Sequence, residues 1–176
     1  AESAEPFRLI TSGTIEPLTL EWGKRRTRYL KRDYQRPGIP REALSARRRA
    51  QHERATVLVA GLSRVLEAAV ADEDTCGAVA TLAAVPITGT CWRLAALICS
   101  TVVRAQFLAH YAPLALGGGS VQVTKKKLAE ILVPPASLLA PATDATARAR
   151  RLCQEDPAVL FGAPDGLIHE PPTRGY

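Results

Sequence analysis

Between Pro40 and Asp74 the apolar residues recur at the spacing of one amphipathic helix. Leu58, Leu62, Val65, Leu66, Ala69 and Val70 fall at i, i+4, i+7, i+8, i+11 and i+12, on a single face. Pro40 suits a first helical turn, and no other proline occurs before Pro86. The spacing therefore predicts a long helix from Pro40 to the acids Asp72-Glu73-Asp74. Asp74 or Thr75 then caps a second, shorter helix that stops before Pro86. Thr88 or Thr90 caps a third, from Cys91 to about Ala112, apolar nearly all round and ended by Pro113.

The flanks read differently. Residues 1–23 are extended or looped, with Leu18, Leu20 and Trp22 alternating as in a short strand or a surface arm. Pro37-Gly38-Ile39-Pro40 is a hinge. Residues Leu116 to Ser120 form a glycine-rich loop and Val121 to Val123 a short strand. Thr124 caps a helix over 125–133, ended by Pro134 and Pro135. Thr143 or Asp144 starts a last helix carrying Arg148, Arg150 and Arg151. The sum is a mainly α fold, a small bundle of three to five helices. It carries an extended N-terminal arm with the basic segment (1–39), a helical body (40–154) and an extended Pro/Gly-rich C-terminal tail (155–176).

Charge changes this picture. The chain of 176 residues has a formal charge of +6, but the surplus is local. Residues 24–54 hold twelve Lys or Arg against Asp33, Glu42 and Glu53, a local +9, which leaves −3 for everything else. That asymmetry points to a polyanion. On a helix the Arg-rich start and acidic end also oppose the macrodipole, which a partner at the Arg-rich end would explain. The 18 Arg against 5 Lys, beside 29 Ala, reflect coding bias more than phosphate binding. A hydrophobic fraction of 47% excludes a wholly disordered tail.

Specific chemistry is sparse. Cys76, Cys91, Cys99 and Cys153 form no C-x-x-C pair and have no His at zinc-ligand spacing, so they read as buried thiols, and no metal or cofactor is expected. His52, His110 and His169 are isolated, and the G-x-S-x-G elbow is missing. Gly117-Gly118-Gly119-Ser120 lies between a helix and a strand, the reverse of a phosphate-binding loop. No catalytic residue is expected.

The candidate site is the basic segment, taken as RNA-binding through Lys24, Arg25, Arg26, Arg28, Tyr29, Lys31, Arg32, Tyr34, Arg36, Arg41, Arg47, Arg48, Arg49 and Arg54. The cations neutralise phosphates, while Trp22, Tyr29 and Tyr34 stack on unpaired bases. From Thr75 to Thr124 the only formal charges are Arg93 and Arg104, which raises a membrane reading for 75–116. Its Gly, Pro and Thr content and the central Arg favour a buried core instead.

The leading expectation is a non-catalytic structural subunit of a large organellar ribonucleoprotein, a mitochondrial ribosomal protein that contacts rRNA and neighbouring subunits. The absence of Met, at position 1 as elsewhere, fits a matrix protein that has lost a targeting peptide. The alternative is an accessory subunit of a mitochondrial respiratory or ATP synthase complex, its apolar region at the membrane and its basic segment on anionic lipid. An enzyme with an unrecognised site stands third.

Overall fold

A computed structural model of the chain describes residues 5–86 and 90–132. In chain order it has β1 (Phe7–Ile10), β2 (Ile15–Glu16), β3 (Thr19–Leu20), β4 (Thr27–Tyr29), β5 (Arg32–Tyr34) and β6 (Gly38–Ile39). There follow α1 (Ala46–His52), β7 (Thr56–Ala60), β8 (Leu62–Ser63), β9 (Ala68–Ala71), β10 (Thr75–Gly77) and β11 (Thr81–Ala84). The remainder is α2 (Cys91–Cys99), α3 (Thr101–Tyr111), β12 (Val121–Gln122) and α4 (Lys125–Ala129).

The mainly α bundle expected from the sequence is therefore wrong. Among the described residues, twelve strands in several small sheets accompany four α-helices, so the fold there is mixed α and β. The long helix from Pro40 is replaced by the seven-residue α1 and the antiparallel strands β7 and β9. The shorter helix after Asp74 is replaced by β10 and β11. The N-terminal arm is no arm from residue 7 onward, because β1 pairs parallel with β10 and antiparallel with β6. Residues 133–176, including the expected last helix, the C-terminal tail, Cys153 and His169, lie outside the described residues.

The central strand explains the error. Thr56-Val57-Leu58-Val59-Ala60 is buried at every position, between β11 on one edge and β9 on the other. A strand covered on both faces shows a continuous apolar run in place of alternation, and such a run is compatible with a helix until its length is weighed. Val57 and Val59 join Leu66, Ala68, Ala95, Ala96, Cys99, Val103 and Phe107 in the core under α2 and α3. Leu58 and Ala60 point the other way, into a core with Ile10, Ile15, Ala69 and Ala71. Phe7, Leu44 and Cys76 form a third, smaller cluster.

The expected third helix is present but broken. Ser100 caps both halves: its hydroxyl donates to the Leu97 carbonyl and accepts from the Val103 N–H. The two halves meet at 53°. No single helix among the described residues is long and apolar enough to cross a membrane. The short strand at Val121 and the helix capped by Thr124 form as expected, although α4 ends at Ala129.

A candidate nucleic-acid interface on the basic hairpin

The basic segment folds as a two-stranded ribbon followed by a short helix. β4 and β5 pair antiparallel, with Thr27 opposite Tyr34, Arg28 opposite Asp33 and Tyr29 opposite Arg32. Leu30 and Lys31 close the hairpin with φ of +48° and +64°. Two positive φ values define the type I′ turn, whose twist matches the flanking strands and which ordinarily selects Asn-Gly. A Leu in this left-handed region costs about 1–2 kcal/mol. From Lys24 to Arg36 only Thr27 is buried, its hydroxyl 2.5 Å from that of Thr11. The ribbon thus adds almost nothing to the apolar core.

The fourteen residues expected to bind RNA divide by what they touch. Lys24 pairs with Glu21 at 2.9 Å and Arg25 with Glu16 at 2.5 Å. Arg36 lies over the Trp22 ring, 5.8 Å from its centroid. Arg41 pairs with Asp74 at 2.6 Å, donates to the Glu5 carbonyl at 2.9 Å and stacks 4.0 Å from the centre of Phe7. Arg48 donates to the Gly77 carbonyl at 2.7 Å. These five cations hold the protein's own structure.

Among the described residues, the other seven cations have no ion pair or side-chain hydrogen bond. Arg28, Lys31 and Arg32 stand exposed on the ribbon and Arg26 immediately before it; Arg47 and Arg54 are exposed and Arg49 half-exposed on and just after α1. Asp33 faces Arg28 across the ladder, yet the two make no ion pair. Tyr29 is half-buried, Tyr34 is 36% exposed, and the Trp22 indole N–H is bound to the Pro37 carbonyl. Of the three aromatic rings, Trp22 is thus covered by Arg36 and Tyr29 is half-buried, while Tyr34 stays exposed.

Sequence reasoning missed Leu30, the most exposed apolar side chain of the ribbon at 77%. The alternation Thr27, Arg28, Tyr29 was a strand signal, but Leu-Lys is not a turn signal, so no hairpin was legible. Lys125 and Lys126 on α4 are also exposed cations, outside the expected set.

The division has a thermal consequence. Arg41→Ala is expected to cost about 1–2 kcal/mol of stability, by losing a charge-assisted bond and a ring contact. Arg28→Ala and Arg32→Ala are expected to stay within about 0.5 kcal/mol of the parent. Chemical denaturation of the three variants checks this.

His52, at the end of α1, is not part of the interface. It is buried, packs edge-on to Phe7 at 6.4 Å, and its Nδ1 has no partner. Burial, and then the nearby Arg48 charge, hold its pKa below the usual 6.5. The unfolded chain thus takes up this proton first as pH falls. His52 contributes stability that is complete above pH 6.5 and is lost as pH falls toward its folded pKa. Burial raises the Glu67 pKa and gives the opposite slope at lower pH, so the comparison of parent with His52→Leu isolates the histidine. Denaturation midpoints at about pH 7.5 and 5.5 are expected to fall in the parent and to fall less in the variant.

Other chemistry is thin. No cluster of three or more His, Cys, Asp or Glu among the described residues could hold a metal. Burial pushes the Cys76 and Cys91 thiols up, away from reactive thiolate. A cleft of about 550 Å³ is lined by Glu5, Phe7, Arg8, Trp22, Arg36 and Asp74, but Arg8, Arg36 and Asp74 are already engaged with protein groups. No protein-family model matches this sequence, and no curated protein matches it either.

Proposed function

We propose that the domain is a non-catalytic nucleic-acid-binding module that grips the phosphates of a duplex through the β4–β5 ribbon. The observation that carries this reading is the ribbon itself: four cations within seven residues, all exposed, none paired, on an element that adds almost nothing to the core. A folded hairpin that presents charge without serving packing is suited to a polyanion. Phosphate contacts of this kind orient the protein and do not by themselves read sequence.

Geometry favours duplex DNA over single-stranded RNA. Two-stranded ribbons enter the major or the minor groove of B-form DNA. Recognition of unpaired bases uses several open aromatic faces, and here Trp22 is covered by Arg36 and Tyr29 is half-buried, which leaves Tyr34 as the one exposed ring of the three. The organellar ribonucleoprotein is the form the proposal takes if the polyanion is rRNA. The test is competition for one labelled DNA duplex by unlabelled DNA duplex, RNA duplex and single-stranded RNA at matched salt. Strongest competition by DNA duplex supports this reading; strongest competition by either RNA returns the chain to the ribosomal placement. No competition by any of them removes nucleic acid as the partner.

A further inference from the structure

The Leu30 tip has no structural reason to be leucine. Among the described residues, Leu18 is the other leucine at positive φ, +61°, but it is buried at 6% exposure and its N–H donates to the Ala68 carbonyl. Packing compensates that strained backbone. Leu30 has the same kind of backbone, is 77% exposed and belongs to no apolar cluster. The sequence thus keeps an apolar side chain where turn geometry prefers Asn and solvent prefers a polar group. The two-residue hairpin requires the left-handed backbone at this position, but nothing in the described fold requires a leucine on it.

Its surroundings name the contact. Lys31 follows it in the turn, and Arg28 and Arg32 stand behind it on the two strands, all without protein partners. An apolar point framed by cations matches the device by which proteins insert a side chain between two base pairs while flanking cations hold the phosphates. We propose that Leu30 is a wedge that enters a base step of duplex DNA from the minor groove and partly unstacks it. This rests on the duplex-binding reading above and adds a distortion that phosphate binding alone does not produce. The steps it would open are pyrimidine–purine steps, which unstack most readily.

The test uses permanganate, which oxidises unstacked thymines, on a duplex of about 30 bp carrying TA steps. Protein is added to saturation, with binding read separately by anisotropy. The parent chain is expected to raise thymine reactivity at TA steps several-fold over free DNA. Leu30→Asn, measured at its own saturation, is expected to leave reactivity at the level of free DNA. The same substitution relaxes the turn, so its melting temperature is expected to rise by about 1–4 °C, which excludes misfolding as the cause. If the parent binds without raising reactivity, or if Leu30→Asn raises it equally, the wedge is overturned while duplex binding stands. If the parent binds no duplex, the functional reading fails and the wedge with it. Loss of binding to phosphatidylserine vesicles in Leu30→Asn, with thymines unreactive throughout, would make the tip a lipid contact and overturn the inference.

Discussion

Gly61→Ala is expected to lower the melting temperature by about 10 °C or more, the largest effect of any single substitution considered. An added Cβ at this position would lie 2.0 Å from the Ala80 carbonyl oxygen and 2.8 Å from its carbon. Both are backbone atoms, so no rotamer change relieves the clash. Around Gly61 three segments converge. Its N–H donates to the Ser12 hydroxyl at 3.1 Å, and that hydroxyl donates to the Ala80 carbonyl at 2.6 Å. Its own carbonyl accepts from the Val123 N–H at 2.9 Å. To make room, β11 must move away from the end of β7, where Thr81 pairs with Ala60. Overpacking commonly costs about 1–3 kcal/mol, and a backbone contact this short lies at or beyond the upper end. Ser12→Ala is the useful comparison. It removes the bridging hydroxyl without a clash and is expected to cost about 1–3 kcal/mol through the loss of two hydrogen bonds. Thermal melts of the two variants beside the parent check both values.

The second large effect concerns binding alone. Replacing Arg26, Arg28, Lys31 and Arg32 together by Gln is expected to weaken affinity for duplex DNA about 100-fold at ~0.1 M salt. Stability is expected to change little, because none of the four makes an ion pair or side-chain hydrogen bond. Glutamine is the better replacement than glutamate, since a Glu at position 28 would face Asp33 across the ladder and weaken the hairpin by repulsion. Arg41 and Arg48 are the internal contrast. Their bonds to Asp74 and the Gly77 carbonyl tie α1 and its approach to the β1–β10 sheet, so their loss acts on stability first. Anisotropy titrations beside denaturation curves separate the two classes.

What the sequence revealed depended on how locally each element is encoded. The start of α2 was legible because Thr90 accepts from the Arg93 N–H as an N-cap should, and α4 was legible through Thr124 for the same reason. The break at Ser100 was not, since one serine serving as both C-cap and N-cap leaves no interruption in the apolar pattern. The sheets were hidden for a different reason. Leu58, Leu62, Leu66 and Ala69 happen to fit a helical face, whereas the structure distributes them over β7, β8, the loop after β8 and β9. Gly61 was the one local hint, a glycine ending a β-branched run, and its meaning lies in Ala80, distant in sequence. In the basic segment, charge was legible and shape was not. Counting cations found the region, but only pairing distances separate Arg28 and Arg32 from Arg41 and Arg48.

The central claim is that the ribbon cations meet phosphates, and counterion release tests it most directly. Affinity for one DNA duplex is measured across a series of salt concentrations for the parent and for the fourfold Gln variant. Each neutralised phosphate of B-form DNA contributes about −0.9 to the slope of log affinity against log salt. The parent slope is expected to be about −4 or steeper, and the variant slope shallower by about 3 to 4. A parent slope near zero, or equal slopes in the two proteins, would contradict the account.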